Sequence, residues 1–203
     1  MRFIVVVDTQ RDFMHPEGAL AVAGAEALIP AAEAFLRSLR PEDAAGVLFT
    51  FDTHEPELYA GSAEAEQFPP HCVKGSEGWE NVLDPDLVDP AIPVYRLEKG
   101  EFDMWAEAGL RIEDVRRPGV SFERDSFFRA LGKRVRAVTV IGVAADYCVK
   151  WAVDGLLVRG FDVTVPEALT RGIARQIRTV AAEDFAGRVV VLRDSHRSTD
   201  SVA

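Results

Sequence analysis

Cysteine is scarce in this chain: there are two, Cys72 and Cys148. Two cysteines make no disulfide framework and suit a reducing compartment, so a cytoplasmic protein is expected. Positive charge is also in deficit, with 23 Lys plus Arg against 33 Asp plus Glu, a net charge of −10. That balance argues against nucleic acid as a partner, because phosphate binding needs a basic surface. No apolar run approaches the length of a membrane span, so no membrane partner is expected. The chain starts directly on a strand-like run, which reads as no leader peptide. Internal repeats and low-complexity segments are missing too. What remains is 203 residues, 48% apolar and 28% charged, an ordinary globular composition. Residues 1–195 are read as one domain and residues 196–203 as a loose tail.

The apolar pattern sets the fold class. Phe3–Val7, Ala45–Phe51, Ile92–Leu97, Ala137–Ile141, Phe161–Val165 and Val189–Leu192 are short, β-branched runs that read as strands. Val120–Phe122 reads as a further short one. Between them, helical spacing appears in Gly24–Arg40, in Phe127–Arg134, after Cys148, and from Ile173 to Ala181. Phe102–Arg116 is expected to hold a short helix and a loop, and Glu55–Asp89 a long loop rich in proline and glycine. Continuous rather than alternating strands imply burial on both faces. The expected fold is therefore three-layer α/β/α, with a central, mostly parallel sheet of about six strands.

In such a sheet the ligand site lies beyond the carboxyl ends of the strands. Four strands deliver a chemically useful residue there: Asp8, Asp52 with His54, Lys99, and Cys148. Cys148 opens a helix, with Asp146 where an N-cap would stand. Free N–H groups and the helix dipole favour an anion at that end, hence a thiolate. The same N–H groups can hold an oxyanion. The plainer alternative is a small core residue, as most free cysteines are. Asp8 fits a base for the thiol, or a turn residue; Lys99 fits a partner for Asp8, or a solvated lysine.

Asp52 and His54 stand two apart, so in extended chain their side chains share a face. His71 can return to them from the long loop, and Glu64 precedes it. Two histidines with one or two carboxylates suit a single divalent ion, zinc first, with manganese or iron as alternatives. With four histidines in the chain, chance proximity on the surface is the competing explanation.

Together these residues resemble the isochorismatase-like cysteine hydrolases, and within them the nicotinamidases. The resemblance rests on Val7-Asp8-Thr9-Gln10-Arg11-Asp12-Phe13, Asp52-Thr53-His54, Phe68-Pro69-Pro70-His71-Cys72-Val73-Lys74-Gly75, Lys99-Gly100, and Gly142-Val143-Ala144-Ala145-Asp146-Tyr147-Cys148-Val149. It implies a catalytic triad of Asp8, Lys99 and Cys148, and a metal held by Asp52, His54 and His71. In some relatives a glutamate takes a further metal position, matched here by Glu64; others use a histidine where this chain has Ala60. It implies an oxyanion hole from the N–H groups of Ala144 and Cys148, and commonly a cis peptide before residue 144. Phe13 is expected to flank the substrate ring.

One departure stands out. Many nicotinamidases carry an Asp-Ser-aromatic motif within a few residues of the lysine. Here Asp125-Ser126-Phe127 follows a long segment, Glu101 to Glu123. That insertion brings Phe102, Met104 and Trp105, which either roof the substrate pocket or pack among themselves on the surface. The implied activity is conversion of nicotinamide to nicotinate and ammonia through a thioester, in NAD salvage. The alternatives are another small amide or ureide, or a non-catalytic relative. Expected partners are a small-molecule amide substrate and further copies of the chain, as a homo-oligomer.

Overall fold

The computed structural model describes residues 1–62 and 64–192. The tail expected at residues 196–203 lies outside them. Nine strands form one sheet: β1 (Arg2–Val7), β2 (Ala44–Asp52), β3 (Val94–Lys99), β4 (Arg111–Asp114), β5 (Ser121–Glu123), β6 (Ala137–Val143), β7 (Asp162–Pro166), β8 (Thr170–Arg171) and β9 (Val189–Leu192). The helices are α1 (Arg11–Met14), α2 (Ile29–Ser38), α3 (Pro56–Tyr59), α4 (Arg124–Gly132), α5 (Cys148–Val158) and α6 (Ile177–Asp184). The order β5-β4-β3-β2-β1-β6-β7-β9, with β8 beside β6, puts β1 in the middle.

The expected mostly parallel architecture is there, and the sheet is wider than about six strands. Pairings around β1 are all parallel, whereas β4 and β5 attach antiparallel at one edge. β4 lies where a short helix was expected. Its Arg111-Ile112-Glu113-Asp114 alternates exposed and buried, a period of two that edge pairing satisfies. The helix expected from Gly24 is instead a single 3₁₀ turn, Ala25–Leu28, followed by α2.

Alternation along β1 splits the core. Phe3, Val5 and Val7 join Leu48, Val140 and the apolar side of α5 on one face. Ile4 and Val6 join Val47, Phe49 and Leu36 of α2 on the other. Both faces being covered explains why the strand reads as an unbroken apolar run. α5 buries Cys148, Val149, Ala152, Val153 and Leu156, the helical stripe its sequence shows. At the carboxyl rim β1 and β6 approach closely at Gly142, whose φ is +110°. A Cβ there would stand 2.1 Å from the Val7 carbonyl oxygen, so only glycine fits. That approach brings the residue after β1 beside the turn that leads into α5.

Candidate active site

Asp8 follows β1 directly and Lys99 is the last residue of β3. Those strands are not neighbours, because β2 runs between them. The long lysine stem spans the gap. Lys99 Nζ lies 2.9 Å from Asp8 Oδ2, 3.2 Å from Asp52 Oδ1 and 3.6 Å from Cys148 Sγ. The ammonium donates to Asp52 and Cys148 and forms an ion pair with Asp8. Asp8, Asp52 and Lys99 are buried. Burial alone would push Lys99 down, but the Asp52 and Asp8 carboxylates hold it well above the ordinary lysine value.

Cys148 is the first residue of α5, as its position after a strand implied. Its thiol behaves otherwise than a helix N-terminus alone would suggest. Burial pushes it well above the ordinary thiol range; Lys99 pulls it back, and the Asp8 and Asp52 carboxylates push it up again. Asp146 does not cap α5. Tyr147 stands at that position without a side-chain cap, and the Asp146 carboxylate accepts from the N–H groups of Ile173, Ala174 and Arg175 instead. It ties the turn before α5 to the loop after β8.

The peptide between Val143 and Ala144 is cis, as the resemblance implied. In this turn the N–H groups of Tyr147 and Val149 donate to the Ala144 carbonyl, and that of Ala145 to Arg171. Among the described residues, no carbonyl outside the helices and strands accepts from the N–H of Ala144 or of Cys148. These are the two groups named above for an oxyanion.

Beside Asp8, Lys99 and Cys148, the side chains of Asp52, His54, Glu64 and His71 come together. One ligand atom from each lies within 4.8 Å of all the others, and all four residues are buried. His54 Nε2 and His71 Nε2 stand 3.1 and 3.0 Å from the same oxygen, Asp52 Oδ2. Glu64 Oε2 lies 3.4 Å from His54 Nε2 and makes no hydrogen bond of good geometry among the described residues. Burial alone would raise Asp52, but Lys99, and then His54 and His71, together hold it well below the usual carboxylate range. Burial and Asp52 together push Glu64 up. Burial would lower His71, but Asp52 raises it above the ordinary histidine value.

The hydrogen bonds test whether a metal fits. His71 Nδ1 lies 2.8 Å from the Pro69 carbonyl, which can only accept, so the neutral ring carries its proton there. Its Nε2 lone pair then faces a carboxylate oxygen at 3.0 Å, an arrangement that either a proton or a metal cation between them satisfies. A carbonyl that fixes the ring tautomer is the usual support of a metal-bound histidine. Two nitrogens and two carboxylates, one oxygen of them unsatisfied, fit a divalent ion.

Phe13 is buried with its ring 5.4 Å from that of His71, at the site as expected. Phe102 is there too. Its N–H donates to Glu64 Oε1 at 2.8 Å, and its ring packs on Phe68 and Tyr147. Trp105 is not. Its indole donates to the Trp151 and Ala152 carbonyls and packs on Phe128 and Arg159, along the flank of α5. A Cβ at Gly155 would stand 2.1 Å from Trp105 Nε1, so that glycine makes the seat. A cleft of about 300 Å³, lined by Thr53, His54, Tyr59, Lys99, Gly100 and Glu107 among others, reaches the cluster from one side.

Two residues without an assigned role complete the site. Gln10 grips both backbone groups of Asp52: its Nε2 donates to the Asp52 carbonyl at 2.7 Å, and its Oε1 accepts the Asp52 N–H at 2.8 Å. Thr50 donates its hydroxyl to Asp8 Oδ1 at 2.6 Å. The signal for Thr50 was a hydroxyl inside a buried apolar strand, which has to find a partner.

Comparison with known proteins agrees with this geometry. The model of the isochorismatase domain family matches residues 2–197. The chain belongs to that family. It is 28% identical over 188 residues to the nicotinamidase/pyrazinamidase of Mycobacterium tuberculosis, covering 91% of this chain and 94% of that protein. The crystal structure of Pyrococcus horikoshii pyrazinamidase in complex with zinc aligns at a TM-score of 0.69 and 26% identity, over 95% of this chain and 98% of that one. PnC1 from L. infantum, in complex with nicotinate, aligns at a TM-score of 0.70 and 28% identity, over 96% and 93% of the two chains.

Proposed function

We propose that this chain is a metal-dependent cysteine amidohydrolase that converts nicotinamide to nicotinate and ammonia. The observation that carries the reading is Lys99 Nζ, one buried ammonium in contact with Asp8, Asp52 and Cys148. It joins a nucleophile with its base to a cluster fit for a metal. The similarity to a nicotinamidase/pyrazinamidase, to a zinc-bound pyrazinamidase and to a nicotinate complex supports a pyridine-type carboxamide as substrate.

In this reading Asp52, His54, Glu64 and His71 would hold a zinc ion, which would supply a Lewis acid beside the substrate when bound. Phe13 and Phe102 flank the ring. Asp8 takes the Cys148 proton as Sγ attacks the carboxamide carbon. Lys99 stabilises the charge on both partners during that transfer. The N–H groups of Ala144 and Cys148 hold the oxyanion. Asp8 returns its proton to the nitrogen, the C–N bond breaks, and ammonia leaves a thioester on Cys148. Asp8 then takes a proton from a water molecule as the water oxygen attacks the thioester carbon; the C–S bond breaks, Asp8 passes the proton to Sγ, and the acid leaves with the thiol restored.

The test is ammonia release over a panel of nicotinamide, pyrazinamide, aliphatic amides and ureides, with and without a chelator. Nicotinamide should have the highest kcat/KM, and the chelator should abolish it. Chelator-insensitive turnover of a ureide, with nicotinamide inert, would overturn the assignment.

A further inference from the structure

We propose that Thr50 is a positioning residue whose hydroxyl commits Asp8 Oδ2, not Oδ1, to proton exchange with Cys148. The proposal rests on the cysteine-hydrolase reading and goes beyond it, to how the base is oriented.

Thr50 is clamped to Asp8 in both directions. Its Oγ1 donates to Asp8 Oδ1 at 2.6 Å and accepts the Asp8 N–H at 3.2 Å. The same N–H lies 3.3 Å from the Thr50 carbonyl. β2 delivers Thr50 by register, since Val7 pairs with it across the β1–β2 ladder. Asp8 needs such a clamp: its φ is +46°, in the left-handed region that a non-glycine residue rarely occupies. The whole arrangement is buried.

The two carboxylate oxygens are thereby made unequal. A hydroxyl has one hydrogen, and here it is spent on Oδ1. Oδ2 makes no hydrogen bond of good geometry among the described residues, and it faces Lys99 Nζ at 2.9 Å. That same nitrogen is 3.6 Å from Cys148 Sγ. A proton leaving the thiol therefore meets Oδ2, the oxygen with a free lone pair on the Lys99 side. Without the hydroxyl, the carboxylate can turn about its own axis and share the ammonium between its oxygens, so the fixed direction is lost. Thr50 touches neither the thiol nor Lys99 in the contacts above, so its effect is through Asp8.

Three variants separate the hydroxyl from simple packing. Thr50→Val keeps the shape and removes the donor; Thr50→Ser keeps the donor and removes the methyl; Thr50→Cys keeps a weak donor. With nicotinamide, Thr50→Val should lower kcat by roughly 10–100-fold, part of the 10²–10⁴ a positioned base contributes, with KM little changed. Thr50→Ser should restore most of the rate and Thr50→Cys should fall between. Iodoacetamide alkylation of Cys148, which needs no amide substrate, should rank the variants in the same order. A packing role predicts the reverse, with Val mild and Ser harmful. Wild-type kcat and alkylation in Thr50→Val, or a Thr50→Ser variant as slow as Val, would overturn the proposal. Should Thr50→Val not fold, the comparison of Cys with Ser decides it. If the wild-type protein released no ammonia from any amide, the amidase reading would fall, while the alkylation order would still judge Thr50.

Discussion

Asp8, Lys99 and Cys148 stand at or just beyond the ends of β1, β3 and β6. Glu64, His71 and Phe102 are carried by chain between strands. The first group is placed by ladder register and by a close approach only Gly142 allows. The second is held by side-chain hydrogen bonds: Phe102 N–H to Glu64, and the Pro69 carbonyl to His71. Each half also holds one of the two cysteines. Cys148 has Lys99 beside it. Cys72 is in the loop half, where burial and then Asp52, Asp8 and Asp12 push its thiol far above the ordinary range. The contrast teaches that a sheet places side chains by ladder register, while a loop places them by contacts made from outside the ladder.

The largest expected effect falls on the strand half. Cys148→Ala should lower turnover by at least about 10⁴-fold, since nothing else in the site is a nucleophile. The fold should survive, because alanine fits the space. In the wild type, iodoacetamide should modify Cys148 well before Cys72, as peptide mass mapping would read. Substantial ammonia release by Cys148→Ala would rule out the thioester route.

Next comes the residue that joins the halves. Lys99→Met should cut turnover by orders of magnitude, and its stability should fall as well. Removing one partner of a buried charge cluster costs about 3–5 kcal/mol, and here two buried carboxylates lose their cation. Rates therefore have to be compared below the lowered melting temperature. A stable Lys99→Met variant with near-wild-type turnover would separate the triad from the mechanism and reduce the nicotinamidase reading to fold-level analogy.

His71→Ala probes the loop half. It should weaken metal binding by more than the 10–100-fold typical of outer-sphere partners, leaving Cys148 alkylation close to wild type. The wild type should carry close to one divalent ion per chain by elemental analysis. Fully active protein that contains no metal would break the contrast between the halves.

How far the residues announced all this follows the same division. β1, β2 and β6 were legible because burial on both faces requires unbroken β-branched runs. Their rim residues were legible because a parallel sheet places ligands at that end. Asp52 and His54 could be paired from spacing in extended chain. Glu64 was less legible: its place in the loop before His71 made it an optional second carboxylate, and the resemblance gave it a metal position. The segment after Lys99 was legible only in part, since β4 is four residues paired antiparallel at an edge. Trp105 was unreadable because its direction depends on a seat at Gly155, a contact between segments far apart in the chain. Asp146 misled because a residue before a helix usually caps it, whereas here three N–H groups of the loop after β8 take it first.

The smallest effect tests how the loop half is anchored. Arg124, at the start of α4, donates to the Met104 and Glu107 carbonyls, and the Glu107 carboxylate accepts the Gly100 N–H beside Lys99. Glu123 caps α4 by accepting from the N–H groups of Asp125 and Ser126, which hold its carboxyl below the usual value. A carboxyl lowered by folding contributes stability above its unfolded value, about 4.3, and loses it as pH falls through the folded value. Glu123→Ala should therefore lower the melting temperature slightly at pH 7. The gap from wild type should close as the pH is taken below the folded value. Because the cap acts on the insertion and not on the strand ends, Cys148 alkylation at pH 7 should be unchanged. A gap that persists undiminished in acid would mean that the side chain acts by packing rather than by its charge. An alkylation rate that moved with it would show that the two halves are coupled through α4.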